Sequence, residues 1–280
     1  MTILGINAYH ADSSAAIFKD GVLIAATEEE RFRRVKHWAG FPSLAIEFCL
    51  KEAGISLHEV DHIAIGRDPY AKLAKKILFL LKNPGGGIRA VKDRLSNARK
   101  VSSLEAEFKS LDPSIDEKMI KSKIYQVEHH RSHLASAFFA SAFEESAILS
   151  IDGSGDFTTT MTAIGKGNQM EVLSSADFPH SVGLFYTAFT QLLGFPHYGD
   201  EYKVMGLAPY GEPLYVEKLK DVLIFDEDGL FHLNQKYFRS AKSGIISYGE
   251  DHIPVVAPLF SSHLTEKFGA ERKKDEDLTQ

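Results

Sequence analysis

Two short stretches of the chain hold residue types that can do chemistry. Glu128-His-His-Arg-Ser-His133 opens an apolar run from Leu134 to Phe143 that has the small and aromatic residues of a packed helix. On such a helix His129 and His133 stand one turn apart on the same face. Asp152-Gly-Ser-Gly-Asp156 ends a buried-strand pattern, Ala147 to Ile151, which places Asp152 at the strand's carboxyl end. Two imidazoles and one carboxylate form a three-ligand set for a divalent metal, and these ligand types suit iron, zinc and manganese alike. Gly153, Ser154 and Gly155 leave room for backbone amides to approach a phosphate. The plain structural readings are one packed histidine beside two solvated ones, and a tight turn between strands. By this pattern His130 points away from the pair, toward solvent.

Other polar stretches are less specific. His58-Glu-Val-Asp-His62 matches the zinc-protease string H-E-x-x-H, but that motif requires a helix. Here the string enters a strand pattern, His62 to Gly66, where residues four apart are well separated. Glu28 to His37 packs charge around Phe32; it reads either as a solvated edge or as an anion site. Lys203 to Gly211, with Gly206 inside it, reads either as an ordinary glycine-punctuated loop or as a phosphate cradle. His10 and Asp12 lie between the first two strands, at a tip where this architecture places ligand contacts.

These residues need positioning elements, and the chain supplies them twice. Ile3 to Ala8 and Ser14 to Lys19 read as strands, and Asp20-Gly21 turns the second into Val22 to Thr27. A helix, Leu44 to Ala53, follows Pro42-Ser43 and stops at Gly54. Val60 to Gly66 is a fourth strand. Later, Ala147 to Ile151, Thr158 to Ile164 and Met170 to Ser174 read as strands, and Ser181 to Leu193 as a helix before Gly194. The shared order predicts two α/β lobes related by duplication. The first spans residues 1–145 with a helical insertion over about 69–122, including Leu73 to Leu81 and Ala90 to Leu111. The second, partial lobe spans 146–280.

The chain has 280 residues, 44% of them hydrophobic and 25% charged, with a formal net charge of -6. That length buries a full core. The mildly acidic balance favours neither a nucleic-acid nor a membrane-surface partner. The single cysteine, Cys49, excludes an internal disulfide and cysteine-rich zinc sites, and its helical surroundings mark it as a core residue. No signal-peptide pattern or apolar run of roughly 20 residues appears, so a cytoplasmic location is expected.

Taken in order, Gly5-Ile-Asn7 with His10, Ala26 to His37, the His129/His133 pair, Asp152 to Gly155, Ser181 to Tyr186 and Lys203 to Gly211 resemble the O-carbamoyltransferases of nodulation-factor and antibiotic biosynthesis. The resemblance implies duplicated lobes of the actin, sugar-kinase and ribonuclease H-like type, related to the tRNA threonylcarbamoyltransferases. It implies carbamoyl transfer to a hydroxyl of a small-molecule acceptor, from carbamoyladenylate made from carbamoyl phosphate and ATP. It further implies metal ligation by His129, His133 and Asp152, with iron favoured, and nucleotide contact by Gly153, Ser154, Gly155, Lys203 and Gly206. Lys36 would meet the phosphate or donor, and His10 the acceptor hydroxyl. The family pattern continues past residue 280 with a further metal-binding aspartate and an adenylate-forming domain. The chain is therefore expected to be a truncated module, or one that works with a separate adenylate-forming polypeptide. The rival readings are a non-catalytic scaffold of the same fold, tRNA threonylcarbamoyl transfer and a sugar-type kinase.

Overall fold

The computed structural model describes residues 1–83, 103–227, 229–243, 245–249, 251–273 and 275–277, arranged in two compact units. The first comprises Met1–Ala71, Val91–His129 and Tyr248–Pro254; the second comprises Lys72–Ala90, His130–Ser247 and Val255–Gln280.

In the first unit, β1 (Thr2–Asn7), β2 (Ser14–Lys19) and β3 (Val22–Glu28) form an antiparallel meander. Asp20 and Gly21 turn β2 into β3 with φ of 52° and 82°, the left-handed pair that a two-residue hairpin turn needs. The short helix α1 (Glu30–Arg33) and then α2 (Ser43–Ala53) follow. β4 (His62–Ile65) joins β1 in parallel, and β5 (Ile124–Gln126) joins β4 in parallel. The sheet order β3-β2-β1-β4-β5 is that of a ribonuclease H-like lobe. Alternating inward residues of the strands, among them Leu4, Ile6, Ile17, Ile63 and Ile65, pack on Ala45, Ile46 and Cys49 of α2. Burial pushes the Cys49 thiol up to about 11, as befits a core residue. His58 lies in a single 3-10 turn, Leu57–Glu59, and His62 begins β4, so the H-e-x-x-H string shares no helix face.

The expected helix Leu73 to Leu81 is present as α3 (Leu73–Lys82). Of the longer expectation from Ala90 to Leu111, residues 84–102 lie outside those described, and α4 (Leu104–Leu111) is helical. α5 (Glu117–Lys123) precedes β5.

The second unit repeats the grammar. The histidine helix α6 (His129–Phe138) leads to β6 (Glu145–Gly155), β7 (Thr158–Lys166) and β8 (Gln169–Asp177), an antiparallel sheet of order β6-β7-β8. α7 (Val182–Leu192) and α8 (Glu201–Leu207) follow. Leu134 and Phe138 of α6 pack on Ile148, Met161 and Ala163 of the sheet. A separate core gathers Phe157, Phe178, Leu184, Ala188 and Leu264. In this part of the chain the second unit begins at His130, within α6, whose Leu134 and Phe138 are seated on the second sheet. α3 also goes with the second unit: Lys72 and Lys75 pair with Asp177, and Phe79 meets the rings of Phe157 and Phe178. Tyr248–Pro254 goes with the first, where the Ala39 N–H donates to the His252 carbonyl at 3.0 Å.

One acid of the charged run does more than decorate a solvated edge. Glu29 is fully buried and accepts from Arg33 Nε at 2.8 Å and from the Ala45 and Leu44 amides at 2.8 and 3.3 Å. Pro42, at the N-cap of α2, offers no capping side chain. Glu29 therefore satisfies the orphan amides of that helix from across the chain, and its negative charge complements the helix dipole. Glu29→Gln should lower the unfolding free energy by about 1–3 kcal/mol, through weakened hydrogen bonds to a charged acceptor. Urea denaturation checks this, and an unchanged midpoint contradicts the capping role.

A second expectation concerns pH. His180 Nδ1 accepts the Leu233 N–H at 3.1 Å, and burial, helped by nearby His232, holds its pKa below the usual histidine value. The folded state thus binds the proton less readily than the unfolded chain. The resulting stabilisation is full above the ordinary value of about 6.5 and is lost as pH falls from there through the lower folded value. Thermal melts from pH 7.5 to 5 should show less acid destabilisation in His180→Gln than in the native sequence; equal slopes overturn the assignment.

Candidate metal and phosphate site

α6 is one continuous helix, and its buried stripe is His130, Leu134 and Phe138, spaced by four. The solvent-directed placement expected for His130 is therefore corrected. It is fully buried, and its Nδ1 lies 2.8 Å from Ser150 Oγ of β6. A polar ring can be buried there because that hydroxyl partners it. Fixing His130 inward fixes the rotation of the helix, and His129 and His133 share the neighbouring face.

His129 Nδ1 lies 3.3 Å from the carbonyl of Gly66. A carbonyl only accepts, so Nδ1 carries the proton and Nε2 is left as the ligating nitrogen. His133 is half exposed, with Nε2 3.6 Å from Asp152 Oδ2. His129, His133 and Asp152 each offer one ligand atom, all within 4.8 Å of one another. Metal–ligand bonds of about 2.0–2.2 Å set ligand atoms about 3–4.4 Å apart, so small side-chain rotations close this group around an ion. The donor set, two imidazoles and a carboxylate, fits a divalent metal and leaves coordination positions open.

Asp152 lies within β6, where the ladder to β7 breaks register between Ile151 and Gly155. That break frees the Asp152–Ser154 backbone from regular pairing and lets the carboxylate leave the sheet. The first turn of α7 then holds it. Ser181 Oγ donates to the Asp152 carbonyl at 3.0 Å and caps α7 by accepting the Leu184 N–H. Gly183 is required by closeness: a Cβ there would meet the Asp152 carbonyl oxygen at 2.7 Å. Asp152 Oδ1 accepts the Gly153 amide at 2.6 Å. The tight turn itself falls one step later, at Asp156 and Phe157, both at positive φ.

Of the other expected residues, His10 lies in the first unit with its ring centroid 5.7 Å from that of His129 and its Nδ1 3.2 Å from the Ala11 carbonyl. Lys36 is exposed beyond α1. The loop expected over Lys203 to Gly211 is instead α8 followed by a 3-10 turn, Ala208–Tyr210. Lys203 and Gly206 are therefore helical residues, and Lys203 pairs with Asp200 at 2.5 Å. Gly206 gives no backbone cradle, because helical amides are used within the helix. The sequence reading missed Glu29 and the closeness requirement at Gly183.

Comparison with known proteins agrees with the motif order. The family model described as carbamoyltransferase N-terminus matches residues 2–278. An uncharacterized protein of Synechocystis, sll1178, is 41% identical over 99% of this chain and 44% of its own length. Nodulation protein NolNO of Sinorhizobium fredii is 37% identical over 74% of this chain and 29% of its own length. The chain thus spans less than half the length of these relatives. Among solved structures, YeaZ from Pseudomonas aeruginosa superposes with a TM-score of 0.33 at 17% identity, covering 64% of this chain and 67% of that one. With the match running across nearly every residue, the chain belongs to the carbamoyltransferase family, as its N-terminal domain.

Proposed function

We propose that this chain is the transfer module of an O-carbamoyltransferase, moving a carbamoyl group from carbamoyladenylate to a hydroxyl of a small-molecule acceptor. The observation that carries the reading is the convergence of His129, His133 and Asp152 beside the backbone of Gly153 to Gly155. Iron is the favoured ion for this set, with zinc and manganese as alternatives. When bound there, it supplies positive charge to a phosphate that leaves with the nucleotide. His129 and His133 would hold that ion from one helix face, and Asp152 would partly neutralise its charge.

The chain's own residues do the rest. Within the Gly153–Gly155 stretch, Ser154 lies in the register break and offers its amide to phosphate oxygens, while the Gly153 amide is donated to Asp152 Oδ1. His10 takes the acceptor hydroxyl's proton: with Nδ1–H directed at the Ala11 carbonyl, its Nε2 is the basic nitrogen. As the proton leaves, the hydroxyl oxygen attacks the carbamoyl carbon and the bond to the adenylate phosphate breaks. Lys36 offers an exposed cation for the donor's phosphate. Carbamoyl phosphate and ATP enter through an adenylate-forming domain or polypeptide beyond these residues. A net charge of -6 disfavours transfer to tRNA as the alternative. No helix among the described residues is long and apolar enough to cross a membrane.

Metal analysis of the purified chain should find close to one equivalent of iron or zinc, and His133→Ala should weaken binding at least tenfold. Full metal content in that variant overturns the site. Gly183→Ala should push the Asp152 backbone aside and lower metal affinity without touching a ligand; unchanged affinity argues against positioning by α7. Radiolabelled carbamoyl phosphate, ATP, the adenylate-forming polypeptide and a panel of hydroxyl acceptors test the reaction. Product that persists undiminished in His10→Ala refutes the proton-acceptor role.

A further inference from the structure

The first unit contains a second group of ligand-type side chains. Asp12, Glu30 and His37 each offer one ligand atom, all within 4.8 Å of one another. We infer that these three residues bind a divalent cation of the manganese class, independently of the His129/His133/Asp152 group.

The ligands come from three segments, each fixed by its own backbone. Asn7 Nδ2 donates to the carbonyls of Ala11 and Asp12 at 3.1 and 3.0 Å, pinning the loop between β1 and β2. Ser13 Oγ ties that loop to the Gly40 carbonyl at 2.8 Å. Glu30 opens α1 directly after the buried anchor Glu29. The His37 N–H donates to Glu30 Oε2 at 2.9 Å. Asp12 and His37 both take left-handed backbone conformations, with φ of 60° and 58°. His37 Nδ1 stands 2.8 Å from Asp12 Oδ1. That is a hydrogen-bond distance, and an ion with bonds of about 2.1 Å, whose adjacent ligands lie about 3 Å apart, can take the place of the shared proton.

Charge points the same way. Arg31, Arg33, Arg34 and Lys36 all lie in this segment, yet Arg33 is committed to Glu29 and Arg31 reaches Glu28 at 3.5 Å. Among the described residues, neither Asp12 nor Glu30 has a lysine or arginine within ion-pair distance. Two carboxylates therefore converge on one imidazole, and among the described residues neither is paired to a lysine or arginine although cationic side chains are close in sequence. A divalent ion supplies the balancing charge. Two oxygens and one nitrogen form a harder set than the two-imidazole group, which favours manganese over softer metals.

The test uses Mn²⁺ alone, with free ion followed by electron paramagnetic resonance, on the His129→Ala/His133→Ala chain. Removing the other site makes this result independent of the proposed function. One Mn²⁺ per chain is expected, with affinity at least tenfold weaker after Asp12→Asn or Glu30→Gln at an unchanged thermal melt. No binding to the parent, or equal binding to the substituted chains, overturns the inference. If those variants fail to fold, amide NMR of the same double-histidine variant decides. Mn²⁺ should broaden residues 10–13, 29–31 and 36–38 first; broadening elsewhere first, or none, leaves a hydrogen-bonded cluster and no site.

Discussion

The placement of Asp152 depends on how closely one helix end approaches one strand. Backbone of α7 and backbone of β6 meet where Gly183 faces the Asp152 carbonyl, a distance no side-chain-bearing residue tolerates. Ser181 serves both partners, donating to that carbonyl and receiving an amide of its own helix. A carboxylate on a strand interior would otherwise point along the sheet normal, as its neighbours do. Here the register break between Ile151 and Gly155 and the pressure of the helix together re-aim it. The same contact packs Leu184 against Gly153, so the direction of the acid and part of the adjacent core are set at once.

Helix α6 shows a complementary device. A helix carrying three histidines within five residues could rotate to present any of them. Burial of His130 against Ser150, in line with Leu134 and Phe138, removes that freedom. The cost of burying an imidazole is offset by one hydrogen bond to a hydroxyl that can donate or accept. The exposed face then belongs to His129 and His133 by helix geometry alone. A histidine with no ligating role thus decides which histidines can ligate.

Much of this was legible in the chain. Periodicity and turn residues located the two meanders, α2, α3 and α7, since Asp20-Gly21, Gly54 and Ser181 are strong local signals. The pairing of His129 with His133 followed from helical spacing once the apolar run was read as a helix. His130 points away from the pair as expected, but its spacing of four to Leu134 and Phe138 turns that direction into the core and not toward solvent. The helix at Lys203 and Gly206 was obscured by glycine, a weak helix former that here lies inside α8. Phe157 turns the chain at positive φ without the usual glycine or asparagine, because its ring is buried with Phe178. Segment exchange between the units had no local signature at all: the Ala39–His252 bond joins residues more than two hundred apart.

The two acid–imidazole groups show how a shared vocabulary of side chains yields different chemistry. On α6 and β6 the donors are two nitrogens and one oxygen, carried by a helix and a strand whose packing is fixed by buried neighbours. At Asp12, Glu30 and His37 they are one nitrogen and two oxygens, carried by the β1–β2 loop, the first residue of α1 and the segment after it, with Asn7 and Ser13 tying the first of these down. The first set would place less negative charge around an ion, leaving more of its positive charge uncompensated. The second set neutralises a divalent ion completely, since two carboxylates match its charge. An ion held that way has little left to polarise a substrate, and its consequence is the mutual anchoring of the β1–β2 loop, α1 and the segment leading to Trp38. On electrostatic grounds alone, the nitrogen-rich group is the one suited to catalysis and the oxygen-rich group the one suited to holding the first unit's loops in place.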